Sequence, residues 1–203
     1  MTIPGRVAMR LCCELLAALD FVHKLELVHC DVKPGNILLD GEGSLLLSDF
    51  GSVVATCCAY TSQVCYKVSS LWYRAPELIL GADRFGPEVD VWGAGCCAFE
   101  LLTGLHAFAG ASEEATLLKI YQRCGAPQRR STLRTLRHFR NGGRREKRPR
   151  EFLREPMLGH KLTNFGQYVL SRMLQTDPMR RPPAATGALF ATEEELAKSW
   201  SYV

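Results

Sequence analysis

Several features are missing from this 203-residue sequence, and each absence excludes something. No stretch approaches the roughly 18 uncharged apolar residues of a membrane-spanning helix. The richest apolar run, Val91 to Phe99, ends at Glu100. Leu11 to Leu19 imitates the core of a signal peptide, but Glu14 interrupts it and no small-residue cleavage pattern follows. A secreted or membrane protein is not expected. There is no C-x-x-C and no paired zinc-ligand spacing. No internal repeat occurs, and no alternating β-α series that would build a doubly wound sheet.

What is present is an ordinary globular composition, 47% hydrophobic and 23% charged, enough for a real core. The nine cysteines include three adjacent pairs, Cys12-Cys13, Cys57-Cys58 and Cys96-Cys97, with Cys30, Cys65 and Cys124 single. An odd number with such spacing reads as reduced thiols in a cytoplasmic or nuclear protein, mostly small core residues. The net charge of +4 is uneven: residues 129–150 hold nine Arg and one Lys against one Glu, leaving the rest of the chain at −5. That basic stretch has only Phe139 and Phe152 as aromatics nearby, so a nucleic-acid stacking platform is weakly supported, and a solvated loop is the simplest expectation.

Val7, Leu11, Leu15, Leu19 and Val22 recur at helical spacing and predict an amphipathic helix over 7–22. Ile37-Leu38-Leu39 and Leu45-Leu46-Leu47, separated by Asp40-Gly41-Glu42-Gly43, predict a β-hairpin. Residues 52–70 have no stable period and are expected to form a loop. Pro87 opens a helix through Trp92 to about Thr103, stopped by Gly104. Ser112, with Glu113 and Glu114, opens another to about Arg123. Residues 128–157, with Gly142-Gly143, Pro149 and Pro156, read as a mostly irregular insertion. Helices are expected near 164–175 and 192–199, the latter with Thr192 and Glu195 as a capping box.

Five short motifs lie on this frame in order. His29-Cys30-Asp31-Val32-Lys33-Pro34-Gly35-Asn36 sits between the first helix and the hairpin, and Ser48-Asp49-Phe50-Gly51 follows the second strand. Leu71-Trp72-Tyr73-Arg74-Ala75-Pro76-Glu77, Asp90-Val91-Trp92-Gly93-Ala94-Gly95 and Asp177-Pro178-Met179-Arg180-Arg181-Pro182 come later. One such match means little; five in this order resemble the protein-kinase catalytic loop, DFG and A-P-E signatures from about Val7 to Leu189. Within that family, Lys33 matches the serine/threonine type. The run from Trp72 to Glu77 resembles the group of cyclin-dependent, MAP and related kinases (CMGC), and within it the stretch from Phe108 to Ile120 with Cys124-Gly125-Ala126-Pro127 resembles the cyclin-dependent branch.

The resemblance implies a mainly α fold with a small β-hairpin, the C-lobe of a kinase with the N-lobe absent. It implies one partial domain over residues 1–203, with an activation segment at 49–77 and the basic insert at 128–157. It implies a serine/threonine kinase, proline-directed, using ATP and Mg²⁺. Asp31 would orient the attacking hydroxyl and accept its proton, and Lys33 would meet the transferred phosphoryl group. Asn36 and Asp49 would supply hard oxygens to Mg²⁺ and, with Lys33, bind the nucleotide phosphates. Ser70 sits where relatives place a Thr that bonds the catalytic Asp and Lys. Arg74 would shape the pocket for the residue after the phosphorylated one, and Leu71 would also bind substrate. His29, Asp90, Glu77 and Arg181 are assigned to scaffolding, with Asp90 bracing the catalytic loop and Glu77 pairing with Arg181. Trp72 and Trp92 are expected in the core.

Two departures from the family pattern stand out. No G-x-G-x-x-G occurs, nor a strand lysine with its helix glutamate ahead of the first helix. The catalytic-loop Arg is replaced by Cys30, and the usual phosphate-accepting Thr position falls on Cys65. Without a guanidinium, a phosphate there has a weaker clamp, leaving Thr61, Ser62 and Tyr66 as alternative acceptors. The expected partners are proteins phosphorylated on Ser or Thr and a cyclin-like regulator acting through the N-lobe, with no membrane and no strong nucleic-acid signal. The competing expectation is an inactive lobe acting as a protein-interaction module.

Overall fold

The computed structural model describes residues 3–56, 71–127, 131, 133, 136, 152–153 and 164–187. The expected helix at 192–199, Ser70, Cys65, Thr61, Ser62, Tyr66 and most of the basic segment lie outside the described residues. The described elements are α1 (Gly5–Lys24), β1 (Leu27–Val28), β2 (Ile37–Leu39), β3 (Leu45–Leu47) and β4 (Val54–Ala55). They continue with α2 (Pro76–Ile79), α3 (Glu88–Thr103), α4 (Glu113–Cys124) and α5 (Asn164–Met173). The fold is mostly helical with two small antiparallel sheets. No helix among the described residues is long and apolar enough to cross a membrane.

Helix α3 is the axis of the molecule. Twelve of its sixteen residues are buried, including Trp92 and Phe99. A helix apolar on all sides belongs inside a core rather than on a surface. Helix α1 packs along it, burying Leu11, Leu15, Leu16, Leu19 and Val22. Val7, expected on that buried face, is exposed instead. Successive steps of four residues rotate the stripe by about 40° each, so its first member falls off the contact face. Gly104 ends α3 in the left-handed conformation (φ 69°), where glycine carries no Cβ penalty. Ser112 caps α4, its hydroxyl accepting from the Ala115 N–H at 3.2 Å.

The expected hairpin is present: β2 pairs with β3 in the register Ile37↔Leu47, Leu38↔Leu46, Leu39↔Leu45. Asp40 shapes its turn, Oδ1 accepting from the Glu42 and Ser44 N–H groups. Part of the predicted 52–70 loop is a strand. Val54–Ala55 pairs antiparallel with Leu27–Val28, which sequence reading also missed. Two-residue strands are too short to show any period.

Of the basic segment, most of which lies outside the described residues, Leu133, Phe152 and Leu153 are buried in the core. Phe152 stacks on Phe99 with ring centroids 5.4 Å apart, and the Arg123 guanidinium lies over its ring. Trp72 is not a core residue: it is 38% exposed and donates its indole N–H to the Gly110 carbonyl at 2.9 Å. Trp92 is fully buried, between the Phe108 ring and the Arg181 guanidinium.

Candidate active site

The segment from β1 to β2 lies directly on α3. A Cβ at Gly93 would stand 2.9 Å from the Val32 carbonyl, so only glycine admits this approach. Next to it, the buried Asp90 carboxylate takes three donors. Oδ2 accepts from the His29 N–H at 2.8 Å and from His23 Nε2 at 2.9 Å, and Oδ1 accepts from the Cys30 N–H at 2.8 Å. These bonds hold Cys30 at φ 67°, an unfavourable left-handed conformation for a side-chain-bearing residue. Asp90 therefore braces the loop, as its assignment to scaffolding anticipates. His23 was not anticipated, since its partner lies 67 residues further along.

Asp31 follows this anchor and is 2% exposed. Its Oδ2 accepts from Lys33 Nζ at 2.6 Å and from Asn36 Nδ2 at 3.0 Å. Asn36 Nδ2 also donates to the Asp31 carbonyl at 2.8 Å. Asp31 Oδ1 is buried and, among the described residues, has no hydrogen-bond partner. A buried acceptor is ordinarily satisfied by protein, water or a bound group, and leaving it unmade costs about 1–3 kcal/mol.

The hairpin delivers Asp49 to the same side. The Ser48 N–H and hydroxyl both bond to the Asn36 carbonyl, at 2.9 and 3.0 Å. His29 ties the two walls together: Nδ1 accepts from the Asp31 N–H at 3.3 Å, and Nε2 lies 3.0 Å from the Ser48 carbonyl. A ring protonated on Nε2 satisfies both bonds. Asp49 is exposed, in the left-handed region (φ 62°), with Oδ1 accepting a long 3.4 Å bond from the Gly51 N–H.

The donor set suits a hard divalent cation. With Asn36 Nδ2 committed to Asp31, its Oδ1 is the acceptor end of the amide, and the exposed Asp49 carboxylate supplies anionic oxygen. Mg²⁺ takes such oxygens while keeping waters and phosphate ligands, and needs no all-protein cage. No cluster of three or more His, Cys, Asp or Glu that could hold a metal ion by itself occurs among the described residues.

Leu71 opens a separate turn, Leu71–Tyr73, and Arg74 follows it in the link to α2. Arg74 is 9% exposed and pairs with Glu113 at 2.5 Å, a partner the sequence did not suggest. Tyr73 donates to Glu100 at 2.5 Å, and burial together with that carboxylate pushes its hydroxyl well above the usual tyrosine range. Glu77 and Arg181 pair as expected, through two contacts of 2.5 and 2.7 Å.

Cys30 is 5% exposed, its thiol 3.6 Å from the Val28 carbonyl. The position of the family's arginine thus carries a small buried side chain. Burial pushes the Cys12 thiol up to about 12 and the Cys13 thiol to about 11, far from the thiolate needed for redox chemistry.

A family model described as protein kinase domain matches residues 1–191. Cyclin-dependent kinase C-1 of Arabidopsis thaliana is 34% identical over 173 residues, covering 83% of this chain and 33% of that protein. Cyclin-dependent kinase C-2 of the same plant is 42% identical over 114 residues, 56% of this chain and 22% of that protein. A Dictyostelium discoideum protein, named a probable cyclin-dependent serine/threonine-protein kinase, is 31% identical over 193 residues, 93% of this chain and 13% of that protein. The chain spans a third or less of the length of these relatives.

Proposed function

Since the chain belongs to the protein kinase family, on its cyclin-dependent branch, we propose that it carries the catalytic lobe of a serine/threonine kinase. The reaction is transfer of the ATP γ-phosphoryl group to a protein Ser or Thr hydroxyl. The observation that carries this reading is the pair of unequal oxygens on Asp31: Oδ2 is fixed by Lys33 and Asn36, while Oδ1 is buried and without a partner among the described residues. A substrate hydroxyl donating to Oδ1 would satisfy that oxygen and be aligned for attack, with Asp31 placed to take its proton. Lys33 Nζ holds positive charge beside the reacting hydroxyl. Bound through Asn36 and Asp49, Mg²⁺ would neutralise the phosphate charge that develops during transfer. Ser70 joins Asp31 and Lys33 in this reading, within an activation segment at 49–77.

The finer points rest on resemblance. Arg74 and Leu71 support proline-directed specificity. The 203 residues contain no G-x-G-x-x-G, and a cyclin-like regulator belongs to this reading as a partner by resemblance. Nine cysteines without metal-ligand spacing support a cytoplasmic or nuclear location.

The test is γ-phosphoryl transfer by the natural polypeptide to Ser-Pro and Ser-Ala peptides. Asp31→Asn should lower kcat about 10²- to 10⁴-fold with little change in nucleotide binding. An equal rate for Asp31→Asn would end the catalytic reading. Absence of transfer by the unmodified protein would favour the second reading, an interaction module, which the buried Cys30 in place of an arginine supports.

A further inference from the structure

Glu14 interrupts the most apolar stretch of α1, and the structure shows what it meets. Its Oε2 accepts from the Leu45 N–H at 2.8 Å, and its Oε1 accepts from Arg10 Nη1 at 3.1 Å. Arg10 Nη2 in turn donates to the Gly43 carbonyl at 2.9 Å. Two side chains one helical turn apart therefore grip the hairpin at its turn and at the first residue of β3.

The turn does not need this grip for its own shape. Asp40 already satisfies the Glu42 and Ser44 N–H groups, and the Gly43 N–H bonds to the Asp40 carbonyl. Nor does the hairpin need it for burial, because Ile37, Leu45 and Leu47 pack against the core that contains Leu15, Leu16 and Leu19. Apolar packing is non-directional and permits sliding. A two-stranded hairpin is also marginal alone. Among the described residues, the Glu14 and Arg10 side chains make the hydrogen bonds that tie the hairpin to α1.

We infer that Glu14 is a positioning residue: it fixes the seat of the hairpin, and through the Ser48–Asn36 bonds it fixes how Asn36 and Asp49 face one another. The geometric part stands on the bonds above, and the consequence for the cation rests on the metal-ligand reading in the previous section.

Backbone amide exchange in the 203-residue chain tests the geometric part without any activity assay. Glu14→Ala should speed exchange of the Leu45 N–H about tenfold, the equivalent of one lost hydrogen bond. It should also speed that of the Ser48 N–H, with α3 amides unchanged. Glu14→Gln keeps an acceptor oxygen and should restore both. An unchanged Ser48 N–H in Glu14→Ala, a rise shared equally by α3, or failure of Glu14→Gln to restore would each overturn the inference. Paramagnetic broadening of the Asn36 side-chain amide by Mn²⁺-ATP reads the consequence, with Glu14→Ala expected to weaken apparent affinity about fivefold. No broadening in the unmodified protein would overturn the metal-ligand reading by itself, while the exchange pattern still decides the clamp.

Discussion

Asp90 and Glu77 are both almost fully buried carboxylates, and each holds a different stretch of chain in place. Glu77 is met by a guanidinium: Arg181 gives it two contacts and also donates to the Gln175, Thr176 and Glu88 carbonyls. Asp90 is met by two backbone N–H groups and the imidazole of His23. The first anchor is a pair of side chains and can be exchanged as a pair. The second serves donors that belong to the main chain, which no substitution removes. A carboxylate bound to main-chain donors is therefore the less replaceable of the two.

The largest effect should come from splitting the side-chain pair. Arg181→Ala leaves Glu77 buried with its charge uncompensated and should cost about 3–5 kcal/mol, read from the denaturant midpoint. Adding Glu77→Met should recover about 1–2 kcal/mol of that loss. A double variant as unstable as Arg181→Ala would break the contrast with Asp90.

A smaller but more local effect is expected at Asp90. Asp90→Asn keeps one carbonyl and turns an amide N–H toward main-chain donors, costing about 2 kcal/mol. The His29 and Cys30 amides should lose exchange protection first. Substituting His23 as well should rescue nothing, because the main-chain donors remain; recovery of loop protection in that double variant would show that the imidazole, not the backbone, dominates the anchor.

The smallest effect concerns Glu88, which lies beside the Glu77–Arg181 pair. Burial, and then the Glu77 charge, raise its carboxyl above the ordinary 4.5. A carboxyl raised on folding holds its proton longer in the folded state, so stability falls as pH climbs from about 4.5 through the raised value. Glu88→Gln should remove that slope. It should stabilise the protein at pH 7 and do nothing below the ordinary carboxyl range, as measured by urea midpoints at pH 4 and 7.

Legibility in the sequence divides along similar lines. Asp31, Lys33 and Asn36 lie within six residues, and the structure brings them into direct contact, because a short loop leaves them few alternatives. The hairpin and α3 were legible from turn residues, from Pro87 and from Gly104. The Glu77–Arg181 pair, 104 residues apart, was reached only through family resemblance. What escaped was long-range and unmarked. His23 meets Asp90 across 67 residues, and Glu113 meets Arg74 across 39, without any local pattern. Leu133, Phe152 and Leu153 were hidden because the arginines around them dominate the composition of their segment. Glu14 was visible only as a flaw in an apolar run.

The imidazole of His29 has a consequence beyond its two bonds. One nitrogen faces the Asp31 amide and the other the Ser48 carbonyl, so the gap between the loop and the strand leading to Asp49 is gauged by a rigid aromatic ring. Flexible side chains of similar polarity could form either bond, but their rotamers would let the gap breathe. The ring works as a spacer block whose length is set by covalent bonds, so the width of the cleft is a matter of bond lengths more than of conformational preference.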